Sequence, residues 1–198
     1  MRTQLKLFLE EIDWKENVPD VRHLLPANSV LDLRSTLSTE TALGLSASGH
    51  FIPERVDELA KWFIEAATID ELIQAGLPAD HEKKRLLHLG AGMVLGSKFA
   101  DCIEPGHGGS AIRYAEALFS NMQKRFRCLL LRESAARISP DTIMPECRIA
   151  PDGDTACNEV WEASSKGFLL SEIPTLPLPA CSAKVCNCGI DWLRFSFE

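Results

Sequence analysis

Apolar residues fall at helical spacing through the middle of the chain and lose that spacing toward both ends. After Pro53, the residues Val56, Leu59, Ala60, Phe63 and Ile64 recur every three to four positions, the period of one helix face. Proline suits a first helical turn, where its missing N–H has no helical partner. Thr68-Ile69-Asp70-Glu71 spells a capping box, so a new short helix begins after Thr68. Gly76 followed by Pro78 ends it. Asp80 is placed to cap a further helix, expected from about His81 to Ile103. Glu104-Pro105-Gly106-His107-Gly108-Gly109 is a strong break, and Ser110 can cap a long helix to about Ile138, stopped by Ser139-Pro140. Along that helix Ile112, Ala115, Leu118, Phe119, Met122, Phe126, Leu129 and Leu130 form an apolar stripe. Two long helices joined by a short loop are expected to pack as an antiparallel hairpin.

The ends read differently. Leu5, Leu7 and Leu9 fit a short strand, and Ser29-Val30-Leu31-Asp32-Leu33-Arg34 a second. The Ser- and Thr-rich stretch from Ser35 to Gly49 reads as loop. Beyond Pro140, prolines recur at 140, 145, 151, 174, 177 and 179, and five of the seven cysteines appear. Acidic residues there outnumber basic ones nine to four. Asn158 to Ser165 is expected to form a short helix around Trp161, and Ile190 to Phe197 a terminal strand. The expected fold class is α+β: a mainly helical core with an antiparallel helical hairpin, a few short strands from the termini, and a small Cys-rich C-terminal module. The expected division is a mainly helical domain over 1–140 and a Cys- and Pro-rich module over 141–198.

Composition narrows the class further. The 198 residues are 45% hydrophobic and 25% charged, near the soluble globular average, which excludes collagen-like, fibrous and wholly disordered chains. A net charge of −7 speaks against nucleic-acid binding through a basic surface. No apolar run reaches the ~18 residues of a membrane span. The apolar part of the N-terminus is too short and too charged for a signal-peptide core. The expected location is therefore cytoplasmic, where thiols stay reduced.

The cysteine spacing then matters more than the count. It reads Cys147-x9-Cys157-x23-Cys181-x4-Cys186-x-Cys188. Zinc is held by thiolates or imidazoles, with sulfur at about 2.3 Å. Ligands close in sequence form half of such a site at little entropic cost. Cys181, Cys186 and Cys188 are candidates for that half, with Asn187 and Gly189 tolerating a tight knuckle. Cys157, or else Cys147, is the candidate fourth thiolate. Leu176-Pro177-Leu178-Pro179 would hold the approach stiff and extended. Two other readings stay open: buried reduced thiols that only pack, and a redox pair such as Cys186 and Cys188.

Lys166-Gly167-Phe168-Leu169, Glu172, Pro174, Leu176-Pro177-Leu178-Pro179, Cys181 and Cys186-x-Cys188 resemble a C-terminal segment of small uncharacterised bacterial proteins. That segment reads G-K-x-F-L, then E-x-P-x-L-P-L-P-x-C, then C-x-C; here Lys166-Gly167 reverses the Gly-Lys order. The resemblance covers about residues 155–192. It implies a small cysteine module and no particular activity.

A second constellation is Gly90-Ala91-Gly92-Met93-Val94-Leu95-Gly96. After a strand and before a helix, Gly90, Gly92 and Gly96 would be candidates for binding a nucleotide or S-adenosylmethionine, because glycines let the backbone approach a ligand. The plainer reading is a small-residue stripe on a helix, with Gly92 and Gly96 four apart on one face. His81 and His88 lie seven apart, two turns along the same expected helix, and His81 is about 40 Å by helical rise from His107, too far to share a site with it. His107, flanked by glycines, could form a second metal or acid–base site with Asp101, Cys102 or Glu104. Lys124, Arg125, Arg127, Arg132 and Arg137 form a basic stretch, either solvated or a docking face for the acidic C-terminal part. No G-x-S-x-G, H-E-x-x-H or P-loop lysine motif occurs. The expected function is a zinc-stabilised binding or interaction protein with a protein partner; the rivals are an enzyme using the Gly90–Gly96 segment and a thiol redox protein.

Overall fold

The computed structural model describes residues 27–137, 146–151, 153, 156–181 and 183–192. It is an α+β fold in which helices dominate. The chain forms two compact units, one of Arg34–Met122 and one joining the described residues before 34 to those after 122. Both divisions fall inside long helices rather than near residue 140, where the composition changes.

The first helix, α1, covers Ala27–Ser48. It replaces both the strand at Ser29–Arg34 and the loop at Ser35–Gly49 that the sequence pattern suggested. The reason is an apolar stripe hidden among hydroxyl residues. Leu37, Thr41 and Leu45 stand four apart and are buried, one helix face. Ser and Thr weaken helix propensity only modestly, and burial of that face outweighs them. Gly49, at φ 65°, closes the helix.

In the Arg34–Met122 unit the core gathers Leu45, Phe51, Leu59, Phe63, Leu72, Leu87, Leu95, Phe99, Ile103, Ala115 and Phe119. A 3₁₀ turn at Pro53–Arg55 leads into α2, Val56–Glu65, which buries Val56, Leu59, Ala60 and Phe63. α3, Ile69–Ile73, begins at Thr68, whose hydroxyl accepts from the Glu71 amide at 3.2 Å. Glu71 reaches back to the Ala67 amide at 2.8 Å, a capping box shifted by one residue. α4 covers His81–Leu86, and Asp80 accepts from the Lys83 amide at 2.7 Å.

The sequence predicts that α4 continues to Ile103. It stops at Leu86 because His88 adopts φ 56°, a left-handed conformation that no helix continues through. A turn follows, then α5 over Ser97–Ala100. The first arm of the expected hairpin is therefore two short helices. The second arm is long: α6 covers Gly108–Ala136, starting two residues before Ser110. Tyr114 on α6 donates its hydroxyl to the Gly44 carbonyl at 2.8 Å. Gly44 leaves the room, because a side chain there would meet Leu118 and Tyr114 at 3.4 and 3.5 Å.

The other unit holds a three-stranded antiparallel sheet in the order β2-β1-β3: β1 Glu146–Ala150, β2 Phe168–Leu169 and β3 Gly189–Trp192. Cys147 pairs with Phe168 on one side and Trp192 on the other, and Ile149 pairs with Ile190. Strand alternation turns Cys147 and Ile149 inward, both fully buried. Arg148 points outward to Asp191 at 2.9 Å, an exposed pair worth little. α7, Asn158–Ser164, is the short helix expected around Trp161. The described part of β3 matches the start of the expected terminal strand. The expected strand at Leu5–Leu9 lies outside the described residues. None of the described helices is long and apolar enough to cross a membrane.

Candidate functional site: a cluster of thiols

Five cysteines from three separate parts of the chain meet in one apolar cluster. Cys128, Cys186 and Cys188 are buried in it with Ile149, Val160, Leu176 and Leu178, and Cys157 and Cys181 pack against it half-buried. Each thiol is placed by a local feature. Cys128 sits on α6 among apolar residues. Cys157 is the residue before α7, and its carbonyl accepts from the Val160 and Trp161 amides. The Cys181 amide donates to the Leu178 carbonyl at 2.9 Å. The preceding Ala180 amide donates to Glu159 on α7 at 2.8 Å. That contact brings the Cys181 turn to the end of the helix that Cys157 opens. Leu176 and Leu178 are buried, so the Leu-Pro-Leu-Pro run anchors the approach through its leucines. Lys124 of α6 donates to the Cys188 carbonyl at 3.2 Å.

The electrostatics of the thiols follow from burial. Cys186 is pushed up from 9.0 to about 12, chiefly by desolvation; neighbouring Cys188 and Cys181 push the same way. The Cys188 amide, donating to the Cys186 sulfur, and the Lys124 charge oppose the shift. Burial also raises Cys128, against the Leu176 amide and the charges of Lys124 and Arg132. In this environment Cys128 and Cys186 are neutral at physiological pH and poor nucleophiles. None of the seven cysteines is in a disulfide.

Of the predicted ligand set, Cys157, Cys181, Cys186 and Cys188 all lie in this cluster. Cys147 lies in the neighbouring cluster with Leu130, Leu131, Leu170 and Ile173, its sulfur 3.5 Å from the Phe168 carbonyl. Cys128 was missed. It stands alone in a helical stretch, and its only sequence signal was an apolar position on the buried side of α6. Among the described residues, no three or more His, Cys, Asp or Glu side chains are arranged as a ligand set for a metal ion.

The glycine segment has neither expected context. α4 precedes it instead of a strand, and α5, which follows, is four residues long. Nor is it a helical stripe, since Gly90 and Gly92 lie in a turn with nothing within 4 Å of an added side chain. Gly96 has a different job. It pairs with Pro78 in an isolated bridge, and a Cβ there would stand 2.2 Å from the Ala75 carbonyl oxygen. His81 and His88 do not share a helix face, because His88 lies beyond the end of α4.

The chain matches no protein-family model, and no curated protein or solved structure matches it either.

Proposed function

We propose that the thiol cluster is a zinc–thiolate centre and that the protein is a metal-stabilised binding or interaction protein. One observation carries the reading: five cysteines from three separate parts of the chain converge on one small cluster. Soft thiolate donors select zinc among the common divalent ions. The unit around the cluster has strands of only five, two and four residues, so a metal staple would add to the little stability so small a sheet supplies. The amide of Cys188 directed at the Cys186 sulfur is the kind of contact that stabilises a ligating thiolate. Binding would expel the thiol protons, so affinity rises with pH. Zinc would be held by Cys157, Cys181, Cys186 and Cys188 and would supply folding energy, and a protein partner is the class of ligand for the stabilised surface. The redox reading loses support from the raised Cys186 thiol.

The test is elemental analysis of tag-free, chelator-washed protein beside Cys186→Ser and Cys188→Ser. The reading predicts one zinc per chain in the parent and loss of that zinc, with unfolding of the sheet unit, in both variants. A folded, zinc-free parent whose melting is unmoved by added zinc overturns it and leaves the thiols as packing residues.

A further inference from the structure

The Arg34–Met122 unit carries a close pair of histidines outside the thiol cluster. His50 follows α1, and His107 immediately precedes α6. Their Nδ1 atoms are 3.2 Å apart, with ring centroids at 5.4 Å. Backbone contacts hold the two residues in register: the Glu104 amide donates to the His50 carbonyl at 3.0 Å, and the His107 amide to the Glu104 carbonyl at 3.1 Å. The ring of Tyr114 stands edge-on to His50 at 5.9 Å, and its hydroxyl is fixed on Gly44.

A third histidine approaches the same loop. The Gly106 amide donates to the Leu86 carbonyl and the Gly108 amide to the Leu87 carbonyl, at 3.0 and 3.1 Å. This lays residues 104–108 along the end of α4. The His88 ring then lies against Gly106, where an added Cβ would stand 3.7 Å from its Nδ1. His88 is the one described non-glycine residue with positive φ, a conformation that costs energy and often marks a functional position.

We propose that His50 and His107 form a bidentate site for a divalent first-row transition ion such as Zn²⁺, Ni²⁺ or Cu²⁺, with water in the remaining positions. The geometry carries the proposal. Imidazole nitrogens lie at about 2.0–2.1 Å from such ions, so two of them on one tetrahedral ion stand about 3.3–3.4 Å apart. The observed 3.2 Å is nearly that edge. Without metal, one ring keeps its proton on Nδ1 and donates it to the other. With metal, the ion takes that proton's place and the donor ring carries its proton on Nε2, so no proton need be lost. Imidazole is an intermediate donor that suits zinc, copper and nickel rather than magnesium or calcium. His107 is exposed and His50 half-buried, so an ion reaches the pair from solvent.

The experiment is a Co²⁺ titration of full-length, metal-stripped protein followed by absorption, repeated on His50→Gln, His107→Gln and His81→Gln. Thiolate coordination gives an intense charge-transfer band and imidazole coordination does not, so failure here is distinguishable from failure of the thiol centre. The expected result is one binding phase without that band, weakened at least tenfold in His50→Gln and in His107→Gln and unchanged in His81→Gln. As a check free of variants, Zn²⁺ should shift the His50 and His107 ring signals together in NMR and leave His81 in place. The proposal is overturned if every binding phase carries the thiolate band, if the imidazole phase survives both replacements, or if the two ring signals do not move.

Discussion

Gly96→Ala is expected to be among the most damaging single-methyl additions in the Arg34–Met122 unit. The new Cβ would stand 2.2 Å from the Ala75 carbonyl oxygen, 2.4 Å from the Gln74 carbonyl carbon and 2.6 Å from the Ala75 nitrogen. All three are backbone atoms, so no side chain can swing away. Relief requires separating the two segments by about 1 Å, toward ordinary contact distances. Four backbone hydrogen bonds resist that separation. Gly96 donates to Ile73, Ser97 to Leu77, Lys98 to Ala75, and Ala79 to Leu95, at 2.9, 2.6, 3.1 and 2.8 Å. At about 1 kcal/mol net each, their loss or distortion costs about 3–4 kcal/mol. Gly90→Ala and Gly92→Ala are the internal controls. Nothing lies within 4 Å of either added Cβ, and neither glycine has a positive φ. Both should leave stability unchanged or raise it by about 0.4–1 kcal/mol, through reduced entropy of the unfolded chain. Urea denaturation of the three variants measures the contrast. A Gly96→Ala midpoint equivalent to less than ~1 kcal/mol of destabilisation would refute the close-approach argument, since strain-free accommodation would mean the bridge yields freely.

Other consequences are equally direct. Burial raises Cys147 and Cys186 from 9.0 to about 12, so the unfolded chain releases these protons first as pH rises. Their contribution to stability is complete below about pH 9 and declines toward pH 12. Denaturation of zinc-free protein across that window should show the fall, and Cys147→Ala should make it shallower; equal slopes would contradict the assigned burial. Tyr114→Phe removes the 2.8 Å bond to the Gly44 carbonyl and should cost about 0.5–1.5 kcal/mol in equilibrium unfolding. Thr68→Ala removes the cap on the Glu71 amide. It should cost about 1 kcal/mol, visible as faster amide exchange across Ile69–Ile73.

Local chemistry was legible in the sequence wherever one residue type has one dominant use. Pro53, Thr68, Asp80 and the apolar stripes of α2 and α6 specify helices through periodicity and capping, which depend only on neighbours three or four positions away. The class, helical with a minor sheet, followed from those segments, as did the short helix at Asn158 and the strand beginning near Ile190. Three things depended on contacts that no local pattern encodes. α1 forms because Leu37 and Leu45 find buried surroundings, which overrides the loop signal of its hydroxyl residues. α4 ends early because the Gly106 and Gly108 amides donate to the Leu86 and Leu87 carbonyls, and His88 turns left-handed at the junction. The candidate sites are the third. The clustering of Cys157, Cys181, Cys186 and Cys188 could be suspected from spacing, but Cys128 joined them from 29 positions away. His50 meets His107 across 57 positions. Sequence spacing governs only which ligands a short loop can join at low entropy; which distant side chains share a site is decided by how helices and strands bury their apolar faces.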